Sequence, residues 1–272
     1  MTPLFRDMKG GWSGARLIET PYGVLKMSTD PVQAPRIDSQ AAFFAAFPSK
    51  VTPVLLASGR GWYLIPKYEP LGNALTHLET TEALLDALSI VWASGPPPVN
   101  DFHSEWIHRL AAHYRHLQSS GFVPIDILKY NLSRGSSPIV VTHGDPTFDN
   151  VMINPHVATV GASEQRMQFT LIDPLPWGVV PPLRAVDLGK VLQSCILSSE
   201  ERIVWYPQSA ARVLRDLDWK EARMCWDFCA LHLTRIIPYR PNLAPSLMKC
   251  VTAILTWHDP LKEMQSYVER NP

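Results

Sequence analysis

The chain has 272 residues, 46% hydrophobic and 18% charged, which is enough apolar material for a large core and excludes general disorder. Lysine plus arginine equals aspartate plus glutamate at 25 each, so no net charge attracts nucleic acid or an anionic membrane. No stretch approaches the roughly 18 unbroken apolar residues of a membrane span. The start MTPLFRDMKGG lacks the apolar region of a signal peptide. We therefore expect a cytoplasmic protein without nucleic-acid or membrane partners, and nothing in the sequence indicates its oligomeric state.

The first part of the chain is typical of an antiparallel sheet interrupted by one helix. Gly, Pro and Ser separate the short β-prone runs ARLIET, YGVLKM, VTPVLLAS and GWYLIP. The stretch DSQAAFFAAF predicts a helix that begins at the capping residues Asp38 and Ser39. Its apolar face carries Phe43, Phe44 and Phe47.

After residue 72 helices dominate. The segment TTEALLDALSIVW begins with a threonine cap, SEWIHRLAAHYRHLQ follows, and further helices are predicted over 184–197, 219–237 and 244–258. Two β-prone runs, PIVVT and FTLID, lie between them. We predict an α+β fold of two lobes, a β-rich lobe over 1–71 and a helical lobe over 72–272, with a hinge at about 66–72. Polar residues at strand ends between two lobes are the layout of a cleft enzyme.

The four cysteines all lie in the last third of the chain, on apolar helical patterns. Free buried thiols explain Cys195, Cys225, Cys229 and Cys250 best, because no second pair or histidine cluster completes a zinc site.

The stretch VVTHGDPTFDN places ionisable and amide groups directly after a β-prone run. His143, Asp145 and Asn150 fit H-x-D-x-x-x-x-N, the catalytic-loop spacing of kinases, which about one chain in a hundred of this composition would match by chance. Phosphoryl transfer needs divalent ions to neutralise phosphate oxygens, so a second metal-binding carboxylate is expected. Asp173 ends the apolar run FTLID, and a hairpin would bring it and Asn150 to the same end.

A phosphate-holding element is expected as well, and KGGWSGARLIETPYGVLKMS offers one. We expect Gly11, Ser13 and Gly14 to lie in a loop between strands, whose glycines would allow close approach of a phosphate. Lys26 in the second strand would supply a positive charge. No G-x-x-x-x-G-K-[ST] sequence is present, so a P-loop fold is not indicated.

Together, HGDPTFDNVMI, LIDP, the glycine hairpin with Lys26 and RAVDLGKVL resemble the aminoglycoside phosphotransferase and choline kinase family of the protein-kinase-like fold. The order and spacing match over roughly residues 8 to 195. The resemblance implies ATP and Mg²⁺ as cofactors and a small-molecule hydroxyl as acceptor. It makes Asp145 the catalytic aspartate, Asn150 and Asp173 the Mg²⁺ ligands, and Lys26 the phosphate lysine.

The resemblance also implies supporting roles. Within the hinge PKYEPLG, the backbone of Lys67, Tyr68 and Glu69 would receive adenine. His143 and Asp187 would hold the catalytic loop in shape.

Three departures from the family pattern stand out. Lys9 occupies the place of the first loop glycine, and the helix that should pair a glutamate with Lys26 offers Gln40, with Asp38 as the alternative. PLPWG follows Asp173, and its proline stiffens the turn. The IDP form slightly favours a sugar-like acceptor.

Other interpretations of these residues stay open. Asp145 and Asn150 could serve only as turn residues, and Lys26 could be a solvated strand residue. Trp92 fits the core, and Arg184 is expected to pair with Asp187 three residues on.

The leading hypothesis is an ATP- and Mg²⁺-dependent kinase that phosphorylates a hydroxyl of a small molecule. A pseudokinase that binds nucleotide or acts as a scaffold is the alternative, motivated by Gln40 and Lys9. Transfer of the nucleotidyl group to a protein hydroxyl is a third.

Overall fold

The computed structural model describes residues 6–8, 15–47, 51–71, 75–95, 137–153, 169–175, 180–197 and 203–256, with 259, 262, 263 and 266 beyond them. Gly11, Ser13 and Gly14, the helix predicted over SEWIHRLAAHYRHLQ, and most of the loop after Asp173 lie outside these ranges. The described chain forms two compact units. The first comprises 1–72 and 149–177, and the second comprises 73–148 and 178–272. The division into lobes at residue 71 stays a prediction.

The first unit contains eight strands and one helix among the described residues. They are β1 (Arg6–Met8), β2 (Ala15–Thr20), β3 (Gly23–Ser28), α1 (Ala34–Ala46), β4 (Ala57–Gly59), β5 (Trp62–Ile65), β6 (Glu69–Pro70), β7 (Val151–Ile153) and β8 (Phe169–Leu171). Strands β1 to β5 form an antiparallel sheet in the order β1-β2-β3-β5-β4, and β6, β7 and β8 form a second one. The antiparallel sheet and the helix that were predicted for the first part of the chain are confirmed.

Gly23 is required where β2 turns into β3. Its φ is +145°, and a Cβ at this position would lie 2.1 Å from the carbonyl oxygen of Ile65 on the next strand. Only glycine accepts both conditions, so this residue allows β3 to pair closely with β5.

Helix α1 packs against β3 and β5 through its apolar face. Phe43 and Phe44 are each 1% exposed, and the ring of Phe44 meets Tyr63 edge to face at 5.5 Å between centroids. Each phenylalanine contributes about 2–3 kcal/mol by burial. The predicted cap was wrong: α1 begins at Ala34, and Asp38 lies inside the helix, where it accepts a hydrogen bond from Gly61 N at 2.5 Å.

The second unit is helical in its described part. Its helices are α2 (His77–Trp92), α3 (Arg184–Ser194), α4 (Pro207–Leu214), α5 (Trp219–Ile236) and α6 (Ala244–Thr256). The predicted helices near 80–92, 184–197, 219–237 and 244–258 are present, and α4 and strand β1 were not predicted. Helix α2 starts one turn earlier than expected, because Thr76 and Glu79 form a reciprocal capping box.

Helices α3 and α5 pack face to face at the centre of the second unit. A Cβ added at Gly189 would lie 2.6 Å from Cβ of Phe228 and 3.0 Å from backbone atoms of Cys225 and Cys229. The absence of a side chain at 189 therefore sets the close approach of the two helices. The four cysteines are free and buried, as predicted.

The predicted strand PIVVT is largely absent. Ile139 forms only an isolated bridge with Leu183, and residues 140–142 belong to no strand. Among the described residues, no helix is both long and apolar enough to cross a bilayer.

Candidate active site

The hairpin of β7 and β8 brings Asn150 and Asp173 to one end of the first unit's smaller sheet. Val151 pairs with Leu171, and Ile172 N donates to the carbonyl oxygen of Asn150 at 3.0 Å. Asn150 ends the 3-10 turn Phe148–Asn150 directly before β7. The predicted hairpin is therefore confirmed, whereas the metal role of its two end residues stays a prediction.

Asp173 adopts a left-handed backbone conformation with φ of 58°, alone in this among the non-glycine residues that the structure describes. Aspartate tolerates this region better than most residues, although it still carries a free-energy cost. Asp173 lies two residues after the end of β8, and its carboxylate accepts two hydrogen bonds. Lys26 and Gln40 both donate to its Oδ1 atom.

Lys26 is a buried lysine on β3, opposite Tyr63 of β5. Only 7% of its side chain is exposed, and its Nζ atom lies 2.5 Å from Oδ1 of Asp173. A buried ammonium needs a charged partner, and Asp173 supplies it. The alternative of a solvated strand lysine is therefore wrong.

Gln40 of α1 connects this ion pair to the core. Its Nε2 group donates to Asp173 and to the carbonyl of Pro174 at 2.9 Å, and its Oε1 atom accepts from the Tyr63 hydroxyl at 3.5 Å. Burial, and then the negative charge of Asp173, raise the pKa of Tyr63 well above its usual value. In the described part of the chain Lys26 pairs with Asp173, and with neither Gln40 nor Asp38.

The oxygens at the end of the hairpin fit a hard cation. Both donors to Asp173 use Oδ1, and no described residue hydrogen-bonds to its Oδ2 atom. Asn150 and Asp173 together offer an amide and a carboxylate oxygen, the ligand types that Mg²⁺ takes, with waters and phosphate oxygens completing its octahedron. The described residues contain no group of three His, Cys, Asp or Glu that could hold a metal by itself.

In the second unit, Asp187 holds the loop that carries Asp145. Its carboxylate has no exposed surface and accepts from His143 N at 3.0 Å, from Gly144 N at 2.7 Å and from Trp92 Nε1 at 2.9 Å. Gly144 has φ of 79°, so the turn that these bonds fix depends on glycine. Burial raises the pKa of Asp187 to about 6, although the three hydrogen-bond donors lower it in part. The negative charge of Asp145 adds to the rise.

Asp145 forms an ion pair with Lys190 of α3, whose Nζ atom lies 2.9 Å from its Oδ1 atom. Burial alone would raise the pKa of Asp145, but the charge and hydrogen bond of Lys190, with smaller contributions from His143 and Arg235, lower it below its usual value. The carboxylate is therefore ionised at neutral pH. His143 itself is fully buried.

The three candidate hinge residues lie in the first unit next to β6. Lys67 forms an ion pair with Glu19 at 2.5 Å, the Tyr68 hydroxyl accepts from Val54 N at 3.3 Å, and Glu69 pairs with Ile153 of β7. Their predicted contact with adenine stays a prediction.

Two residues that contact the loop region were not predicted from the sequence, and a third has a different partner from the one expected. Lys190 contacts Asp145, and Trp92 contacts Asp187. The position of Lys190 one helical turn after Asp187 was the sequence signal that could have indicated it. Arg184 does not pair with Asp187 as expected. Its Nε atom donates to Glu221 of α5 at 2.9 Å, because a second carboxylate lies opposite the start of α3.

The sequence matches no protein-family model and no curated protein sequence. Solved structures nevertheless resemble it along most of its length. A protein assigned as a fructosamine-3-kinase from Haemophilus somnus 129PT has a TM-score of 0.60 at 11% identity, with 92% of this chain and 90% of that chain covered.

Two further solved structures show the same likeness. The GDP complex of a variant of aminoglycoside 2'-phosphotransferase-IIIa has a TM-score of 0.58 at 12% identity, covering 97% and 91% of the two chains. A choline/ethanolamine kinase family protein from Mesorhizobium loti has 0.54 at 12%, covering 97% and 92%. The chain therefore has the fold of these phosphotransferases, and the predicted α+β, protein-kinase-like fold is confirmed.

Proposed function

We propose that this protein is an ATP- and Mg²⁺-dependent phosphotransferase that transfers the γ-phosphoryl group of the nucleotide to a hydroxyl of a small molecule. The shared fold makes phosphoryl transfer the reaction class to test first, since fold alone does not assign a function. The observation that carries the proposal is the 2.5 Å pair of Lys26 and Asp173. This ion pair joins the residue predicted to bind phosphate to the residue predicted to bind the metal, although the two are 147 residues apart in the chain.

In this proposal the first unit holds the nucleotide's charged end. Lys26 binds phosphate oxygens, and Asn150 and Asp173 hold Mg²⁺, which neutralises charge on the phosphates when it is bound. Gln40 keeps the Asp173 carboxylate in place through its hydrogen bond. The backbone of residues 67–69 receives the base.

Asp145 of the second unit handles the proton. It orients the acceptor hydroxyl and accepts its proton as the acceptor oxygen bonds to the γ-phosphorus and the bond from that phosphorus to the bridging oxygen breaks, leaving ADP. Asp187 maintains the loop through the N–H groups of His143 and Gly144.

The decisive variant is Asp145→Asn. It should lower turnover by about 10²-fold or more, because a positioned base is lost, while the affinity for ATP with magnesium stays within about twofold, since Asp145 is not assigned to the nucleotide. Asp216→Asn, an exposed aspartate of the same unit, is the matched control and should leave both unchanged. Loss of nucleotide binding with unchanged turnover would refute the assignment.

The acceptor is found by a screen. Sugars, amino alcohols, nucleosides, aminoglycosides and macrolides are tested for stimulated consumption of ATP. GTP is tested as well, because two of the similar solved structures are GDP complexes. A sugar-like acceptor is favoured by the IDP form of the metal loop. The mass of the product separates phosphoryl from nucleotidyl transfer.

A pseudokinase is the second candidate, because Gln40 replaces the expected glutamate and, like Lys26, donates a hydrogen bond to Asp173 instead of forming an ion pair with the lysine. Calorimetry separates the two functions: an enzyme should bind ATP in a magnesium-dependent manner, whereas a pseudokinase should bind weakly or without dependence on the metal.

A further inference from the structure

Helix α3 directs two opposite charges at the loop of residues 143–145. Asp187 accepts the N–H groups of His143 and Gly144, and Lys190, one turn further along the helix, reaches the side chain of Asp145. The helix therefore supports the loop twice, once through the backbone and once through the carboxylate.

The Lys190 ammonium is fixed at a second point. It donates to Oε1 of Gln193, which is 6% exposed, at 2.9 Å, and only 14% of the Lys190 side chain is exposed. A lysine at this depth loses much of its hydration and depends on these partners. Because the stem of Lys190 is held on a helix that packs against α5, its Nζ atom is a firm reference point for Asp145 Oδ1.

We propose that Lys190 is a positioning residue that holds the carboxylate of Asp145 in the orientation required by the acceptor hydroxyl. This inference rests on the proposed phosphotransferase function. Lys190 acts through Asp145, and no contact of Lys190 with substrate is part of the proposal.

The charges around Asp145 support this role. Lys190 and Asp187 face it from α3, His143 from its own loop and Arg235 from α5. Of the cations, Lys190 has the largest effect on the pKa of Asp145 and is the one that bonds to it directly. Removing the ammonium should therefore loosen the orientation of the carboxylate and raise its pKa.

The kinetic test compares Lys190→Met, Lys190→Arg and the exposed control Lys249→Met on α6. With the acceptor found by the screen, Lys190→Met should lower kcat about tenfold or more at pH 7 and move the acid limb of the kcat profile to higher pH. The KM for the nucleotide should change less than about threefold. Lys190→Arg should recover most of kcat because it keeps the charge, and Lys249→Met should behave like the wild type.

Wild-type kcat with an unmoved acid limb in Lys190→Met would overturn the proposal. A rise of kcat in that variant would also overturn it, because it would mean that the pair withholds Asp145 from the acceptor.

A second measurement needs no acceptor. Carbon-13 NMR titration of the Asp145 carboxyl, assigned by its disappearance in Asp145→Asn, should give a midpoint below the usual aspartate value in the wild type and a higher midpoint in Lys190→Met. An ordinary midpoint in the wild type would overturn the proposal even if Lys190→Met did not fold. If the screen finds no phosphoryl transfer while the titration behaves as expected, the proposed function fails and the contact of Lys190 with Asp145 stands.

Discussion

Replacing Gln40 with glutamate tests the polar network of the first unit with almost no change in side-chain size. Gln40 has no exposed surface, and its Nε2 group donates to Asp173 and Pro174. A glutamate has no N–H group, so both acceptors lose a donor. If Lys26 instead needed an acidic partner on α1, as the family pattern suggests, the same change would strengthen the site.

The magnitude follows from the burial of the residue. A buried acceptor left without its donor costs about 1–3 kcal/mol. The new carboxylate must also either stay charged beside Asp173 or take up a proton, which at pH 7.5 costs about 4 kcal/mol for a group with a usual pKa of about 4.3. Lys26 is buried beside it and offsets part of the second contribution. We expect Gln40→Glu to lower the free energy of unfolding by about 2–4 kcal/mol.

Denaturant unfolding at pH 7.5 measures this difference. Gln40→Met is the control, since it removes the same donors without adding charge, and it should lose about 1–3 kcal/mol. A glutamate variant as stable as the wild type, or more stable than the methionine variant, would refute the reasoning and indicate that Lys26 turns towards α1.

Three further changes test other contacts. Lys26→Met should weaken the binding of ATP with magnesium about tenfold or more through loss of a charge-assisted contact. Lys249→Met, which changes an exposed lysine of α6, should alter the affinity less than about twofold; calorimetry compares the two variants. We expect the free energy of unfolding of the wild type to fall as the pH rises from about 4 to 7, and we expect Asp187→Asn to lack this fall. Denaturant unfolding across that pH range measures both. Gly189→Ala should lower the unfolding free energy by about 1–3 kcal/mol, because its Cβ would meet Phe228 at 2.6 Å; thermal unfolding detects this.

The sign of the Asp187 prediction follows from its pKa, which is about 6 in the folded protein and about 3.9 in the unfolded chain. A group that binds its proton more tightly when folded contributes its full stability below about pH 4 and loses it as the pH rises through about 6. The loss is at most about 3 kcal/mol. Equal pH profiles of stability for the wild type and Asp187→Asn would contradict this prediction. Equal losses of affinity in the two lysine variants would contradict the role of Lys26, and an unchanged unfolding temperature of Gly189→Ala would contradict the steric role of Gly189.

Local patterns were sufficient to predict most of the regular structure. The β-prone runs ARLIET, YGVLKM and GWYLIP form β2, β3 and β5, whereas only the last two residues of VTPVLLAS lie in β4. The apolar stripes after residue 180 form α3, α5 and α6. The predictions were wrong where a tertiary or capping contact determines where a helix or strand begins and ends. Pro35 in the first turn and the bond from Gly61 to Asp38 place α1 four residues earlier than its polar residues suggested. PIVVT has the composition of a strand, but apart from the single bridge at Ile139 it forms no ladder.

The candidate site was predictable as a set of residue types but not as a set of partners. The spacing of His143, Asp145 and Asn150 indicated the loop, and the end of an apolar run indicated Asp173. Which side chain Lys26 pairs with depends on the approach of β3 to residue 173, and the sequence contains no signal for that distance. Lys190 was overlooked because a lysine on a helix is usually solvated, and only the packing of α3 shows it to be largely buried.

Gly189 has no charge, but its contact with α5 determines where the charged residues of α3 lie relative to the loop of residues 143–145. Asp187 and Lys190 lie on either side of Gly189 in the sequence of α3. The contact of Gly189 with Phe228 sets how closely α3 approaches α5. A bulkier side chain at 189 would push α3 away from α5 and so displace both charged residues relative to residues 143–145 together. For the proposed phosphotransferase, a steric substitution that deletes no donor, acceptor or charge would then lower the rate.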